Sequence, residues 1–418
     1  MKLTVIGAGS TYNPELVEGI LDRRAALPIT RLDLMDIDRE RLEIVGGLAR
    51  RMVAARAPDL DVRFLTDRQE AIAGASFVLT QVRVGGNAAR ILDEKVPLSM
   101  GVIGQETTGP GGFAKALRTI PVMLDIARDI ERLAPEAWLI NFTNPSGIIT
   151  QAVDTLTRVK VLGLCNVPIN MRYDAAKALE VDASRVTLDY FGLNHLSFVR
   201  AVLLDGKPVS RQQFATLAAQ MGTTEKEVFE VLGLIPNGYL HYYYYRDQAL
   251  AKLQAAAHTR GEEVLEVERE LIEQYRDPKL REKPAALSKR GGARYSEAAI
   301  SLVQSLHCNS GDSHVVNVRN GDICPDLPPT ATMEVSASVG ATGAQAAPVG
   351  PLPTPVRGLI QAVKAYEELT VQAGAQGDRQ AALQALLAHP LVPSLPVARR
   401  LLEGLLEAHR AYLPQFGA

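Results

Sequence analysis

Lys2-Leu3-Thr4-Val5-Ile6-Gly7-Ala8-Gly9-Ser10, running on into Thr11-Tyr12-Asn13-Pro14, decides the reading of this 418-residue chain. Leu3 to Ile6 is a short apolar run that ends on a glycine turn, as a buried strand does. Pro14 then opens a helix whose apolar residues Leu16, Val17, Ile20 and Leu21 recur at helical spacing. Between strand and helix, Gly7 and Gly9 permit a tight turn and the close approach of a pyrophosphate to the helix N-terminus. The third glycine of the usual dinucleotide fingerprint is absent, since Tyr12 stands there. Asp36 closes a second strand, Leu32 to Met35. An acid at that place accepts hydrogen bonds from a ribose 2′-hydroxyl and repels a 2′-phosphate, which favours NAD over NADP. The plainer alternative is a structural glycine turn beside a surface Asp.

Outward from this unit the strand and helix signals keep alternating. Val62 to Leu65, Phe77 to Val82, Ala137 to Ile140 and Val159 to Leu164 read as strands. A glycine-rich stretch, Gly101 to Gly112, precedes a helix from Phe113 to about Leu133, which Pro121 is expected to kink or divide. Repeated βα units mean a parallel, doubly wound sheet. After residue 166 the pattern changes: Val186 to Leu204 and His314 to Arg319 are strand-like, while Glu262 to Tyr275, Val356 to Leu369 and Val397 to Leu413 are helical. Residues 340–355 read as an irregular connection. The expected division is a dinucleotide-binding domain over 1–165 and an α+β domain over 166–418.

Composition narrows the function. Lys plus Arg is 45 and Asp plus Glu is 47, a formal charge of −2 that gives no case for nucleic acid or an anionic membrane. No apolar run reaches the roughly 18 residues of a spanning helix. The first strand starts so near Met1 that no secretory leader is expected, and three cysteines in a chain this long are not a disulfide scaffold. A reducing cytoplasm is the natural expectation.

Three strand ends share one edge of the sheet and carry unusual polar residues: Arg83-Val84-Gly85-Gly86, Asn141 to Asn144, and Cys165-Asn166-Val167-Pro168. Ligands of open α/β sheets bind outside the carboxyl ends of strands. Cys165 and His195, the latter in Phe191-Gly192-Leu193-Asn194-His195-Leu196-Ser197, could hold a metal with positions open to substrate oxygens. By spacing alone, a buried inert cysteine and a hydrogen-bonded core histidine account for them better. Five of the 12 tyrosines fall in Tyr239-Leu240-His241-Tyr242-Tyr243-Tyr244-Tyr245, so some should face a common polar cleft unless their rings simply pack the core. A tyrosine acts as a base only if its pKa near 10 is lowered, by about three units or roughly 4 kcal/mol, which a metal or a cationic ring nearby could supply.

Taken in order, these motifs resemble glycoside hydrolase family 4, the NAD- and metal-dependent glycosidases. The resemblance runs over nearly the whole chain: Gly7-Ala8-Gly9-Ser10, Asp36-Ile37-Asp38, Ile103-Gly104-Gln105-Glu106-Thr107-Thr108-Gly109, Asn141-Phe142-Thr143-Asn144-Pro145, Cys165-Asn166-Val167-Pro168, Asn194-His195 and Lys289-Arg290-Gly291-Gly292. It implies a Rossmann-like sheet with a C-terminal α+β domain, the lactate/malate dehydrogenase-like architecture. It also implies NAD on Gly7, Gly9, Ser10 and Asp36, and Mn²⁺ on Cys165 and His195. Asn166 is expected to touch the sugar hydroxyls, and Cys-Asn-Val-Pro resembles the 6-phospho-β-glucosidase branch. Arg90, Asn144, Asn166 and Arg290 match sugar- and phosphate-binding positions, Tyr239 matches the base, and Glu106 is expected beside it. His241 stands where β-type relatives usually have Arg. The implied reaction is oxidation at C3, deprotonation at C2, elimination at C1 and addition of water, with NAD regenerated in each cycle. A small phosphorylated sugar is the implied partner, and the implied assembly is a homodimer or homotetramer.

The main rival is a nicotinamide-dependent 2-hydroxy acid dehydrogenase, which predicts net NADH and leaves Cys165, His195 and the tyrosines without a role. A non-catalytic NAD-binding protein predicts binding without turnover. A glycosidase of the same family acting on an unphosphorylated sugar would make Arg90 and Arg290 structural or carboxylate-binding.

Overall fold

The glycine-turn strand forms the middle of the main sheet. In this computed structural model, which describes residues 1–221, 226–290 and 294–417 (the side chains of Lys226 and Tyr295 excepted), β1 is Lys2–Ile6 and is buried beyond Lys2. Gly291 and Gly292 of the Lys289-Arg290-Gly291-Gly292 motif lie outside the described residues. Strands β2 (Arg31–Met35), β3 (Asp61–Leu65), β4 (Phe77–Thr80), β5 (Trp138–Asn141) and β6 (Lys160–Gly163) join β1 in parallel, in the order β3-β2-β1-β4-β5-β6. That is the doubly wound dinucleotide order, and its switch point lies between β1 and β4.

The later chain adds two pieces. Strands β7 (Val186–Leu193), β8 (Leu196–Leu204), β9 (Lys207–Pro208) and β10 (Ile235–Pro236) form a small antiparallel sheet. Strands β11 (Asp312–Arg319), β12 (Thr332–Gly340) and β13 (Gly343–Ala346) extend the main sheet, β11 lying antiparallel to β6 at Asn317 and Gly163. The sheet is therefore nine-stranded and mixed, not wholly parallel. Antiparallel neighbours need no crossover helix between them, so three strands extend the sheet where further parallel ones would need one.

Three local expectations change. The run Val186 to Leu204 breaks at Asn194-His195 into a hairpin, with His195 at φ +64°. Residues 340–355 contain β13, paired from Gly340↔Gly343 outward; their small side chains mask the alternation that marks a strand. Pro121 does not divide its helix, which runs without interruption from Gly109 to Leu133. Buried Ile120, Met123 and Ile126 on that helix pack into the core and outweigh the one hydrogen bond that Pro121 removes.

The helix Gly86–Ser99 carries Asn87 and Arg90 to the strand ends, and Gly109–Leu133 carries Lys115. A fully buried pair locks the two helices: Arg118 Nη1 and Nη2 donate to Asp93 Oδ1 and Oδ2 at 2.7 and 2.6 Å. Arg118 Nε also donates to the Val84 carbonyl, at 3.0 Å. Removing one partner of such a pair strands a charge in the core. Asp93→Ala is expected to lower unfolding stability by about 3–5 kcal/mol, read as a urea midpoint shift at constant slope.

Candidate active site

The crevice at the switch point widens into a cavity of about 1840 Å³, more than a single drug-sized ligand needs. At its nucleotide end, Gly7 holds φ +89°, and a Cβ there would lie 2.9 Å from the Gln81 carbonyl oxygen. Only glycine fits, so the turn can pass close under β4 and the helix Asn13–Asp22 can start at the crevice. Asp36 Oδ2 accepts from the Gly9 amide at 2.7 Å. Asp36, Gly7, Gly9 and Ser10 all line the cavity. The arrangement fits a dinucleotide, with the carboxylate at the end of β2 where a ribose is read.

At the other end lies the sulfur–imidazole pair. Cys165 follows β6 and caps the helix Asn166–Ala178, its Sγ accepting from the Val167 amide at 3.5 Å. His195 sits at the tip of the β7–β8 hairpin. The two meet from sequence positions thirty apart, Cys165 Sγ lying 3.5 Å from His195 Nε2. Two donors that share one cation through bonds of about 2.0–2.3 Å have a separation of this size. Burial and the Lys115 ammonium push the imidazole down to about 3, against Glu106 and the Thr107 backbone, so it is neutral and able to ligate. Burial and the Glu334 carboxylate push the Cys165 thiol up, against the amides of Asn166 and Val167 and the Asn194 side chain, which favour the thiolate. A thiol held protonated by burial is what a cation reverses. The residues therefore fit a metal with two protein donors, and no cluster of three or more acidic, cysteine or histidine donors occurs among the described residues.

Tyr239 stacks on His195, with ring centroids 3.9 Å apart and planes 15° apart. Asn237 caps the short turn Gly238–Leu240 by accepting from the Tyr239 amide at 2.9 Å, which fixes the tyrosine's place. Burial, Cys165 and Glu106 hold the Tyr239 phenol above its usual range. The tyrosine run divides between roles: Tyr239 and Tyr242 line the cavity, whereas Tyr243 and Tyr244 pack against the main core.

Glu106 is the hub of a cationic wall. Its carboxylate accepts from Arg83, from Lys115 at 2.8 Å, and meets Arg90 Nη1 at 3.0 Å. Arg83, Lys115 and Arg90 together hold Glu106 well below the carboxylate range despite its burial. Burial and Arg83 bring Lys115 down to about 7. Arg90 also donates to Glu94 at 2.9 Å, so three cations face two carboxylates here. Arg290 lies apart from them, donating from Nε and Nη2 to Glu268 Oε1 at 3.1 and 2.7 Å, with its guanidinium over the Tyr12 ring. Asn144 and Asn166 line the same cavity, and the buried Asn144 Oδ1 has no hydrogen-bond partner among the described residues.

Every site residue expected from the sequence thus borders one cavity. Sequence reasoning missed Arg83 and Lys115 on Glu106, Arg41 and Asn87 on Glu268, and the buried Glu334. Two of these had a local signal: Arg83 opens a polar strand end, and Glu334 is the one charge in the strand Thr332–Gly340, which is otherwise apolar or small.

The chain matches the family described as family 4 glycosyl hydrolase over residues 2–181, and the C-terminal domain of that family over residues 190–392. It is 45% identical over 432 residues to a probable 6-phospho-β-glucosidase of Bacillus subtilis (strain 168), covering 100% of this chain and 98% of that one. A solved structure of the 6-phospho-β-glucosidase from Thermotoga maritima, with manganese, NAD⁺ and glucose 6-phosphate, superposes with a TM-score of 0.92 at 37% identity, covering 99% of each chain. Malate dehydrogenase from Plasmodium falciparum shares the fold alone, with a TM-score of 0.55 at 14% identity over 92% of this chain and 99% of that one.

Proposed function

The chain belongs to family 4 of the glycosyl hydrolases, and on that premise we propose that it hydrolyses 6-phospho-β-glucosides with NAD and Mn²⁺ as cofactors. The observation that carries the reading is the pair Cys165 Sγ and His195 Nε2, 3.5 Å apart under the Tyr239 ring, in the cavity that also holds Gly7, Gly9 and Asp36. A plain dehydrogenase has no task for a thiol, an imidazole and a phenol gathered in this way.

Gly7, Gly9, Ser10 and Asp36 hold the dinucleotide, and Cys165 and His195 hold the metal. Bound there, the cofactors supply reversible oxidation at C3 and polarisation of the C3 carbonyl, which acidifies the C2 proton. Tyr239 Oη takes that proton as general base. His195 stacks on Tyr239, so a cation held by Cys165 and the neutral His195 would oppose the effect of burial on the phenol. The oxygen leaving C1 takes up a proton, water gives one up as its hydroxyl adds at C1, and Tyr239 returns the C2 proton. Asn166 orients the sugar hydroxyls. Arg90, Asn144 and Arg290 receive the 6-phosphate and the sugar, and Arg83 and Lys115 share in the positive field beside Glu106. An arginine fork suits phosphate because it donates in parallel from two nitrogens.

The reading carries a cytoplasmic location with it, since a phosphorylated sugar is the product of import coupled to phosphorylation, and an assembly of two or four copies. Among the described residues no helix is long and apolar enough to cross a membrane. Residues 1–165 serve the dinucleotide and 166–418 the sugar side, with Cys165 at the seam.

The test is phenol release from 4-nitrophenyl 6-phospho-β-glucoside under reducing conditions, with NAD⁺ and Mn²⁺ present or omitted in turn. Release that needs both, without net NADH, is expected. Release without NAD⁺, or net NADH in step with turnover, would overturn the reading. A narrower prediction concerns the nucleotide. Asp36→Ala is expected to weaken NAD binding roughly tenfold, as loss of a hydrogen bond to a charged group does, while NADP is weakened less. Equal loss for both nucleotides by equilibrium dialysis would contradict the ribose role of Asp36.

A further inference from the structure

Behind the sulfur–imidazole pair lies a buried acid that forms no ion pair among the described residues. Glu334, on β12, is 1% exposed. Its Oε1 accepts from Asn194 Nδ2 at 2.9 Å and Asn317 Nδ2 at 3.2 Å. Its Oε2 faces the hydroxyls of Tyr190 at 3.1 Å and Ser197 at 3.3 Å. All of these partners are neutral. Burying a carboxylate without a counter-charge is costly, and four neutral groups offset only part of that cost.

What those partners hold gives the acid a task. Asn194 is one of the two residues of the hairpin turn, and the other is His195, in a left-handed backbone conformation that needs outside support. Ser197 Oγ accepts from Asn237 Nδ2 at 2.5 Å, and Asn237 Oδ1 in turn accepts from the Tyr239 amide at 2.9 Å. One carboxylate therefore grips two chains of hydrogen bonds. The first ends at the turn that presents the imidazole, and the second at the turn that presents the phenol. Asn317 ties the same carboxylate to β11, next to Gly163 at the end of β6, two residues before Cys165.

We propose that Glu334 is a positioning residue: through Asn194 and through Ser197–Asn237 it sets His195 against Cys165 and Tyr239 against His195, and so helps retain the cation those donors bind. The inference rests on the reading of Cys165 and His195 as the metal donors. Outer groups that orient metal ligands contribute to metal affinity itself, typically about 10- to 100-fold, and not only to rate.

The test reads metal binding directly. Mn²⁺ alone is titrated into the full-length protein under reducing conditions, and the free-ion EPR signal is followed. NAD binding and apo-protein thermal stability are measured beside it. Glu334→Gln keeps the size and one acceptor oxygen but removes the charge and turns the second oxygen into a donor. It is expected to weaken Mn²⁺ binding roughly 10- to 100-fold, with NAD affinity within about twofold of wild type. Asn194→Ala asks the same question from the other end of the hydrogen bond. Combined with E334Q it should cost little more than the larger single change, because the two residues act in series. Wild-type Mn²⁺ affinity in E334Q beside a lowered melting temperature would leave Glu334 a purely structural role and overturn the proposal. Wild-type affinity in N194A would do the same, and it decides the matter if E334Q does not fold. Failure of the wild-type protein to bind Mn²⁺ at all would take down the metal reading as well, so the two failures are distinguishable.

Discussion

Tyr239→Phe is expected to lower kcat for 6-phospho-β-glucoside hydrolysis by about two to four orders of magnitude, the usual contribution of a positioned general base. The ring is the part that stacks on His195, and phenylalanine keeps it, so the sulfur–imidazole pair and the cavity wall stay in place. Only the oxygen is lost. Mn²⁺ and NAD binding should therefore remain near wild type while turnover collapses, a kcat effect with little change in KM. A second readout separates a base from a mere contact. In D₂O the wild-type product should carry deuterium at C2, and the variant's residual product should form no faster than C2 exchange does. Activity within a few-fold of wild type would remove Tyr239 from the chemistry and direct attention to Tyr242, which also faces the cavity.

Cys165→Ala is the second large effect. The sulfur is one of two protein donors 3.5 Å apart, and no third acidic, cysteine or histidine donor is clustered with them among the described residues. Deleting one of two donors leaves a single imidazole, too little to retain a dication against water. A Lewis acid contributes several kcal/mol of charge stabilisation to such a reaction, and each 1.36 kcal/mol is tenfold in rate. The expected loss is about 10³-fold or more in kcat/KM, together with loss of Mn²⁺ binding. Chelation of the wild-type enzyme should give the same loss, restored by adding Mn²⁺, whereas the variant should not respond. Among the described residues the nucleotide end of the cavity shares no hydrogen bond with Cys165, so NAD affinity should hold. A chelator-treated wild type or a C165A protein that still turns over would refute the metal's part in the reaction.

Both variants act at a place where distant segments converge, and that decides how much of the site was legible beforehand. Strand–turn–helix units are local. A run such as Leu3 to Ile6, followed by Gly7 with its left-handed φ and then by Pro14, has few other ways to fold, and Asp36 stands at a fixed distance from it. The parallel half of the sheet and its nucleotide edge were readable for that reason. Cys165 and His195 were not joined by spacing; taken alone they suited an inert thiol and a core histidine. Only the ordered set of motifs along the chain pointed to a shared metal.

What the sequence by itself determined is the βα alternation, the glycine turn with its acid, the absence of a charge bias toward nucleic acid, and the family to which the motifs point. Each of these depends on residues close together or on composition. The tertiary structure alone decided that β11 to β13 complete the sheet beside β6 and that Glu106 is surrounded by Arg83, Lys115 and Arg90. It alone decided, too, that Arg90 and Arg290 already hold carboxylate partners, and that a single buried carboxylate, Glu334, reaches the turns of both His195 and Tyr239. These pairings span from the four positions of Arg90–Glu94 and the nine of Glu106–Lys115 to the 140 of Asn194–Glu334. Charge and hydrogen bonding act over a few ångströms of space, and packing of the core, not order along the chain, sets which groups come within that range.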